Sequence, residues 1–326
     1  MERLARDISA EANLTVESSP APAIEPEVVN RPAIRRARRR LRVAAFNARG
    51  GARLTGVIAC LKRPPLNDVD LILLCEADVG MKRSNGRAIA AEIAESLGMS
   101  YAYVPEWYVI GDDGTLKRHV GTAILSAAPL EDVAAISMPH TKILPVLWPR
   151  RDLHQWMGAP TGLAASIRFD GRRVNVGAVH LHSRCGPAHR ERQMAAFLAG
   201  FPAHGPAIIG GDMNSTTTEL SSLRKFFRTF GEVAMNPRRF RTPIAREPLF
   251  TKLMERGFSL EGVNVFGRGT FTYHRAIPRH FRPKLDWFAI RGLKPVPASA
   301  AVIPPHASAF APRTSDHDFV MCEIEL

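Results

Sequence analysis

At 326 residues and 45% hydrophobic content, the chain has enough apolar surface for one large α/β domain or two ordinary ones, and it lacks the run of about eighteen apolar residues that a membrane-spanning helix needs. Its four cysteines, Cys60, Cys75, Cys185 and Cys322, are scattered without metal-finger or disulfide-scaffold spacing, so reduced, mostly buried thiols are expected. The formal charge of +13 bears on partners and not on fold.

Residues 1 to 40 read as a poorly ordered basic arm. The stretch ESSPAPAIEPEVVNRP is rich in Pro, Glu and Ser and has no useful periodicity. Its acids carry no apolar stretch with them, so no secretory leader is expected and the cytoplasm is the expected location. The arginine cluster RPAIRRARRRLR does not explain the charge. Residues 1 to 42 hold nine arginines against six acids, which leaves +10 on residues 43 to 326. A basic folded body suits an anionic partner.

Regular patterning starts at position 41. LRVAAFNARGG predicts a strand running into a glycine turn, TGVIACLKR a helix, and DVDLILLCEAD a buried strand ending in acids. SNGRAIAAEIAESLG has a Ser/Asn start, one apolar helical face and a glycine stop. VGTAILSAAPL predicts a further strand. GLAASIRFDG and RRVNVGAVHLHS predict a hairpin around Asp170-Gly171. HRERQMAAFLAGF is an amphipathic helix and PAIIGGDMNS a strand. ELSSLRKFFRTF and REPLFTKLMERGF are helical by period, and TFTYHR, KLDWFAIRG and the final FVMCEIEL predict strands. Helices are interspersed among strands without strict βαβ alternation. One domain over 41–326 with mixed or antiparallel sheets is therefore expected, not a doubly wound fold.

Nearly every predicted strand ends in a side chain that binds metal or moves a proton. VAAF ends at Asn47, LILLC at Glu76, VGAV at His180 and AIIGG at Asp212, with Asn214 two residues on. Asp286 lies inside an apolar strand, where a carboxylate is costly without a partner, and Asp316 and His317 precede the last strand. Singly, each has a plain structural explanation as a cap or turn residue. Together they match the needs of phosphate-ester hydrolysis. A hard divalent cation takes carboxylate oxygens, a positioned base deprotonates the attacking water, a carboxylate fixes the tautomer of an imidazole, and neutral donors stabilise the phosphoryl transition state.

The ordered blocks RVAAFNARGG, LLCEAD, GTAILSAAPL, GAVHLHSR, IIGGDMNS, KLDWFAI and TSDHDFV resemble the endonuclease/exonuclease/phosphatase superfamily of metal-dependent phosphoesterases. The resemblance implies a four-layer α/β/β/α sandwich of two mixed sheets flanked by helices, with the site at one end of the sheets. It implies Glu76 as principal metal ligand, Asp316 as a second metal-side carboxylate, and Asn47 supporting the metal and phosphate. It implies His180 and Asn214 on phosphate, Asp212 orienting water, and His317 as the catalytic imidazole paired with Asp286. The implied cofactor is Mg²⁺, with Mn²⁺ as substitute. Asp318 has no assigned role and is expected to be a solvated turn residue.

The substrate is less determined. Nucleic acid is slightly favoured by the basic body and tail. A phosphorylated lipid headgroup or sugar is the alternative, with peripheral contact to an anionic membrane. A third reading, a catalytically silent anion-binding module, sits poorly with the retention of Glu76, Asp212 and His317. Abasic-site endonucleases carry a tyrosine where this chain has His180, which argues against that subgroup. Arg184 and Arg192, with Arg190 between them, are candidate contacts to substrate phosphate. Trp148, Trp156, Arg150 and Arg151 could stack on and grip a nucleotide.

Overall fold

A computed structural model describes residues 25–34, 39–110, 116–140, 157–183, 185–217, 228, 231–232, 235–272, 281–308 and 310–325. Fourteen strands are described: β1 Glu27–Val29, β2 Arg40–Asn47, β3 Leu71–Val79, β4 Ser100–Ile110, β5 Leu116–Ser126, β6 Leu130–Ser137, β7 Met157–Gly158, β8 Thr161–Phe169, β9 Arg172–His180, β10 Ala207–Asp212, β11 Asp286–Arg291, β12 Lys294–Pro295, β13 Ala301–Ile303 and β14 Phe319–Glu325. Four α-helices accompany them: α1 Leu54–Leu61, α2 Ile89–Leu97, α3 Pro187–Gly200 and α4 Leu249–Glu255. The first sheet runs β1-β4-β5-β3-β2-β14-β12, with β7 also on β4 and β13 also on β14. The second runs β11-β10-β9-β8-β6.

Strand periodicity of two gives each sheet two faces, and both are apolar here. Val43 and Ala45 of β2 and Leu71 and Leu73 of β3 meet Val174, Val176 and Ile208 of the second sheet in a central core. The opposite residues of the first sheet, Phe46, Ile72 and Leu74, pack on Leu54, Val57 and Ile93 from α1 and α2. Val179, Ile209 and Trp287 pack on Met194, Phe197 and Phe250 from α3 and α4. Three apolar layers between four structural layers make the expected α/β/β/α sandwich.

The Asp170-Gly171 hairpin forms with both residues left-handed, at φ 48° and 74°, the backbone that a two-residue turn requires. All four cysteines are buried thiols, and none is in a disulfide. Helix α2 departs from its expected start. Asn85, at φ 55°, ends a short turn, and the helix begins after Ala88 without a side-chain cap.

Residues 25–34 of the expected arm are described and are ordered against the body. Among them, β1 pairs antiparallel with Tyr101–Tyr103 of β4. The Asn30 side chain both donates to the Leu130 carbonyl at 3.0 Å and accepts from its N–H at 2.8 Å. A three-residue edge strand, Glu27-Val28-Val29, is too short to show an alternation that could be read from sequence. The helix expected over ELSSLRKFFRTF lies mostly outside the described residues, as do Tyr273 to Arg275 of the expected strand TFTYHR and Trp148, Arg150, Arg151 and Trp156.

Candidate active site

The parallel pairing of β2 with β3 and of β9 with β10 points the ends of these strands the same way. The antiparallel strands β11 and β14 bring their starts to that end. Register then does the rest. His180 is the cross-strand partner of Asp212, and Asp212 that of Asp286, so three strand-end residues form one row. The paired glycines before Asp212 allow this close packing. A Cβ on Gly211, which sits at φ 132°, would lie 2.2 Å from the Val179 carbonyl oxygen.

Glu76 reaches the row from the first sheet through a β-bulge. The pairing of β3 with β5 shifts between Leu74 and Ala77, and Glu76 adopts a left-handed φ of 50°. Such a bulge re-aims a side chain that regular pleating would send elsewhere. Asn47, the last residue of β2, spans the two sheets. Its Nδ2 donates to Glu76 Oε1 at 2.9 Å and to Asp212 Oδ2 at 3.0 Å. Its Oδ1 accepts the N–H of Arg49 at 2.9 Å.

His317 enters from the loop before β14. Its Nδ1 lies 2.9 Å from Asp286 Oδ2, and its Nε2 lies 3.6 Å from Asp212 Oδ2. The serine of "SDH" shapes this loop. Ser315 Oγ donates to the Asn47 carbonyl at 2.8 Å and accepts the His317 N–H at 3.1 Å. Asp212, Asp286 and His317 each offer a ligand atom within 4.8 Å of the others. Hydrogen bonding already engages His317 Nδ1 with Asp286, however, which suits a proton relay better than a metal cage.

Asn214, at φ 47°, donates its N–H to Asp212 Oδ1 at 3.0 Å and its Nδ2 to the Leu181 carbonyl at 2.7 Å. Asp316 is partly open and pairs with Arg49 Nε at 3.2 Å. Asp318 is a correction to the sequence reading. It is 3% exposed and accepts a 2.7 Å bond from Arg313, because the start of β14 turns it inward.

Glu106 joins this cluster, and the sequence reading missed it. It is 3% exposed and bonds His180 Nδ1 at 2.9 Å, while Thr122 Oγ1 donates to its other oxygen. The signal was available, since an acid inside the apolar strand SYAYVPEWYVI needs a partner as much as Asp286 does. Pro105 hid it by breaking the alternation, where β4 shifts register between Pro105 and Trp107.

Arg184 lies outside the described residues. Arg192 bonds His189 on its own helix at 2.9 Å. Arg190 is fully buried and grips Glu247 through two bonds of 2.6 and 3.0 Å.

The site is strongly anionic. Burial disfavours a charged imidazole at His180, but Glu106, Asp212 and Glu76 outweigh it and push its pKa up to about 10. At His317 burial is likewise overridden by Asp286, Asp212 and Asp316, and the pKa again rises to about 10. Burial pushes the Asp286 carboxyl up, against the pull of His317.

Residues 29–317 match the sequence model of the Endonuclease/Exonuclease/phosphatase family. No curated protein matches the chain. Among solved structures, an endonuclease/exonuclease/phosphatase from Beutenbergia cavernae superposes with a TM-score of 0.58 at 17% identity, over 89% of this chain and 72% of the other. A 3'-5' exonuclease from Neisseria meningitidis gives 0.53 at 16% identity, over 88% and 100%. D. rerio TDP2 complexed with a single-strand DNA product gives 0.51 at 17%, over 88% and 99%. These likenesses are to the fold.

Proposed function

The chain belongs to the Endonuclease/Exonuclease/phosphatase family, and on that premise we propose that it is a Mg²⁺-dependent phosphodiesterase of nucleic acid in which water attacks phosphorus. The observation that carries this reading is the row His180–Asp212–Asp286, closed by His317 Nε2 at 3.6 Å from Asp212.

The donor set fits a hard divalent cation. Glu76, Asp316 and Asn47 offer oxygen atoms, as Mg²⁺ prefers, and the surrounding carboxylates already pull two buried imidazoles up to about 10. Glu76 and Asp316 would hold Mg²⁺, or Mn²⁺ in its place, with Asn47 orienting Glu76. Such a cation supplies charge stabilisation to the phosphoryl oxygens.

The side chains supply the rest. Asp212 is fixed from two sides, by Asn47 on Oδ2 and the Asn214 N–H on Oδ1, which aims it at a water in front of His317. The proton leaving that water goes to Asp212, or to His317 if bound Mg²⁺ offsets the surrounding carboxylates enough to leave its imidazole neutral, and Asp286 stabilises the imidazolium in either case. His180, held charged by Glu106, donates from Nε2 to a phosphoryl oxygen. Asn214 keeps a second Nδ2 hydrogen for the same purpose.

The nucleic-acid part of the reading is supported by the +10 carried by residues 43 to 326, and by neighbours described as an exonuclease and as a complex with single-strand DNA. The test is hydrolysis of bis-p-nitrophenyl phosphate with Mg²⁺, with EDTA, and after Mg²⁺ is restored. Activity should vanish and return, and Asp212→Ala and His317→Ala should sit at background. A folded wild type inert toward this diester, DNA and RNA would sink the reading. Faster turnover of phosphoinositide or sphingomyelin would move the substrate to lipid headgroups.

A further inference from the structure

Three aromatic heterocycles stand in a row beside His180 and take no part in the chemistry above. The Trp107 and His140 rings are 5.0 Å apart, centroid to centroid, in an edge contact, and His140 and His182 are 5.9 Å apart. Trp107 directly follows Glu106, the partner of His180, and His182 lies two residues past His180. Both ends of the row are therefore within two residues of the Glu106–His180 pair. His140 is exposed, and Trp107 and His182 are half-buried.

The row is held by a dedicated scaffold. Gln193 on α3 is fully buried, a costly place for an amide unless both ends are bonded. Its Nε2 donates to the Pro139 carbonyl at 2.9 Å, and its Oε1 accepts the His182 N–H at 3.0 Å. His189 adds a bond to the same Pro139 carbonyl at 3.1 Å. One side chain thus sets the relative position of the two segments that carry His140 and His182. Partial desolvation of the ring and then the neighbouring His189 hold His140 below its ordinary pKa, so near neutral pH it is an uncharged aromatic ring.

We propose that Trp107, His140 and His182 form a stacking shelf for the nucleobase adjoining the scissile phosphate, which makes the substrate a nucleic-acid strand or nucleotide diester. The inference rests on the phosphoesterase reading and narrows it. Flat rings recognise another flat ring, since every base has a π-face. A sugar or lipid-headgroup phosphate offers no such face.

The test compares three dinucleoside phosphates: thymidylyl-thymidine and the two analogues in which one nucleoside is replaced by abasic dideoxyribose. Wild type should favour thymidylyl-thymidine over one of the analogues in kcat/KM by roughly 10-fold, within the range found when aromatic partners of a base are truncated. In Trp107→Ala and His140→Ala that ratio should fall close to one. His140 is exposed, so its variant keeps the test meaningful if Trp107→Ala folds poorly. A ratio unchanged in folded His140→Ala and Trp107→Ala, or a wild type indifferent to the base, would overturn the shelf. A second readout needs no turnover. In EDTA, thymidine 5'-monophosphate should quench tryptophan fluorescence, deoxyribose 5-phosphate should not, and the quenching should be lost in Trp107→Phe. Equal response to both ligands, or quenching that persists in Trp107→Phe, would overturn the shelf even in an enzyme with no measurable turnover. Absence of all diester hydrolysis alongside base-selective quenching would instead fail the phosphoesterase reading alone.

Discussion

His180 of β9 and Glu106 of β4 lie 2.9 Å apart across the two sheets, just as Asp286 of β11 and His317 before β14 do. Each imidazole–carboxylate pair joins one sheet to the other, and Asn47 adds a third link through Asp212. The site is thus also a seam of the sandwich, so changes in it divide between chemistry and stability.

For the first pair, Glu106→Gln should separate the two. Glutamine keeps the volume and the contact with Thr122 but removes the charge that holds His180 protonated. The His180 pKa should drop from about 10 toward the ordinary imidazole value, read by NMR titration of the ring. The kcat for a diester should fall roughly 10- to 100-fold, the usual effect of losing a partner behind an active-site histidine, with little change in melting temperature. An unaltered titration and rate would show that Glu106 serves packing alone.

At the second pair, Asp286→Asn should act almost wholly on rate. The carboxyl is fully buried, so asparagine relieves a desolvated charge, but it presents an N–H where His317 Nδ1 needs an acceptor. The wrong tautomer then faces Asp212. A loss of roughly 100- to 10,000-fold in kcat is expected by analogy with other imidazole–carboxylate pairs, with KM nearly constant. Should KM rise instead while kcat holds, Asp286 would belong to substrate binding.

These pairs also show what the sequence could and could not disclose. Asp286 was legible because a carboxylate within WFAI has no cheap surroundings. Glu76, Asp212 and His317 were legible as strand-end blocks in a familiar order. Partner identity was not legible locally. Glu106 and His180 are 74 residues apart, and their meeting depends on how two sheets stack. Arg190 misled for a related reason. Beside His180 in the sequence it suits phosphate, but the turn of α3 directs it into the protein toward Glu247. Arg313 and Asp318 likewise pair only once the final loop closes.

Arg190 and Glu247 make a separate prediction, on stability. Both are fully buried, Arg190 Nη1 donates to the Cys185 carbonyl at 2.6 Å, and Glu247 accepts the Thr217 N–H at 2.6 Å. Arg190→Met strands the carboxylate and should destabilise by about 3–5 kcal/mol. Glu247→Leu strands the guanidinium and should cost about as much. The double variant removes both charges and should be less destabilised than the sum, short of full recovery because the Thr217 N–H is left orphaned at about 1–3 kcal/mol. Urea unfolding of the four proteins closes the cycle. Additive losses would mean that the two side chains stabilise independently.

The last prediction concerns pH and the metal-free fold. His180 and His317 have folded pKa values of about 10 against an ordinary 6.5. Their contribution is complete below about pH 6.5 and is lost as pH rises toward 10, because the folded state keeps protons that the unfolded chain releases. Lys284 works in the opposite sense. Burial lowers its pKa to about 7, against the pull of Asp286, from an ordinary 10.5. Above pH 7 the unfolded chain holds the extra proton, so this residue's penalty shrinks as pH rises. His119, His140 and His189 are all shifted down and act at lower pH. Each unbalanced proton is worth about 1.4 kcal/mol per pH unit, so two imidazoles opposed by one lysine leave a net loss of at most that slope. In EDTA, between pH 7 and 8.5, below most cysteine and tyrosine titration, the melting temperature should fall. Lys284→Met removes the opposing group and should make the fall steeper, toward twice the slope. A flat or rising profile in both proteins would mean that neither imidazole is charged in the metal-free site, and the anionic potential inferred from Glu76, Glu106, Asp212, Asp286 and Asp316 would have to be abandoned.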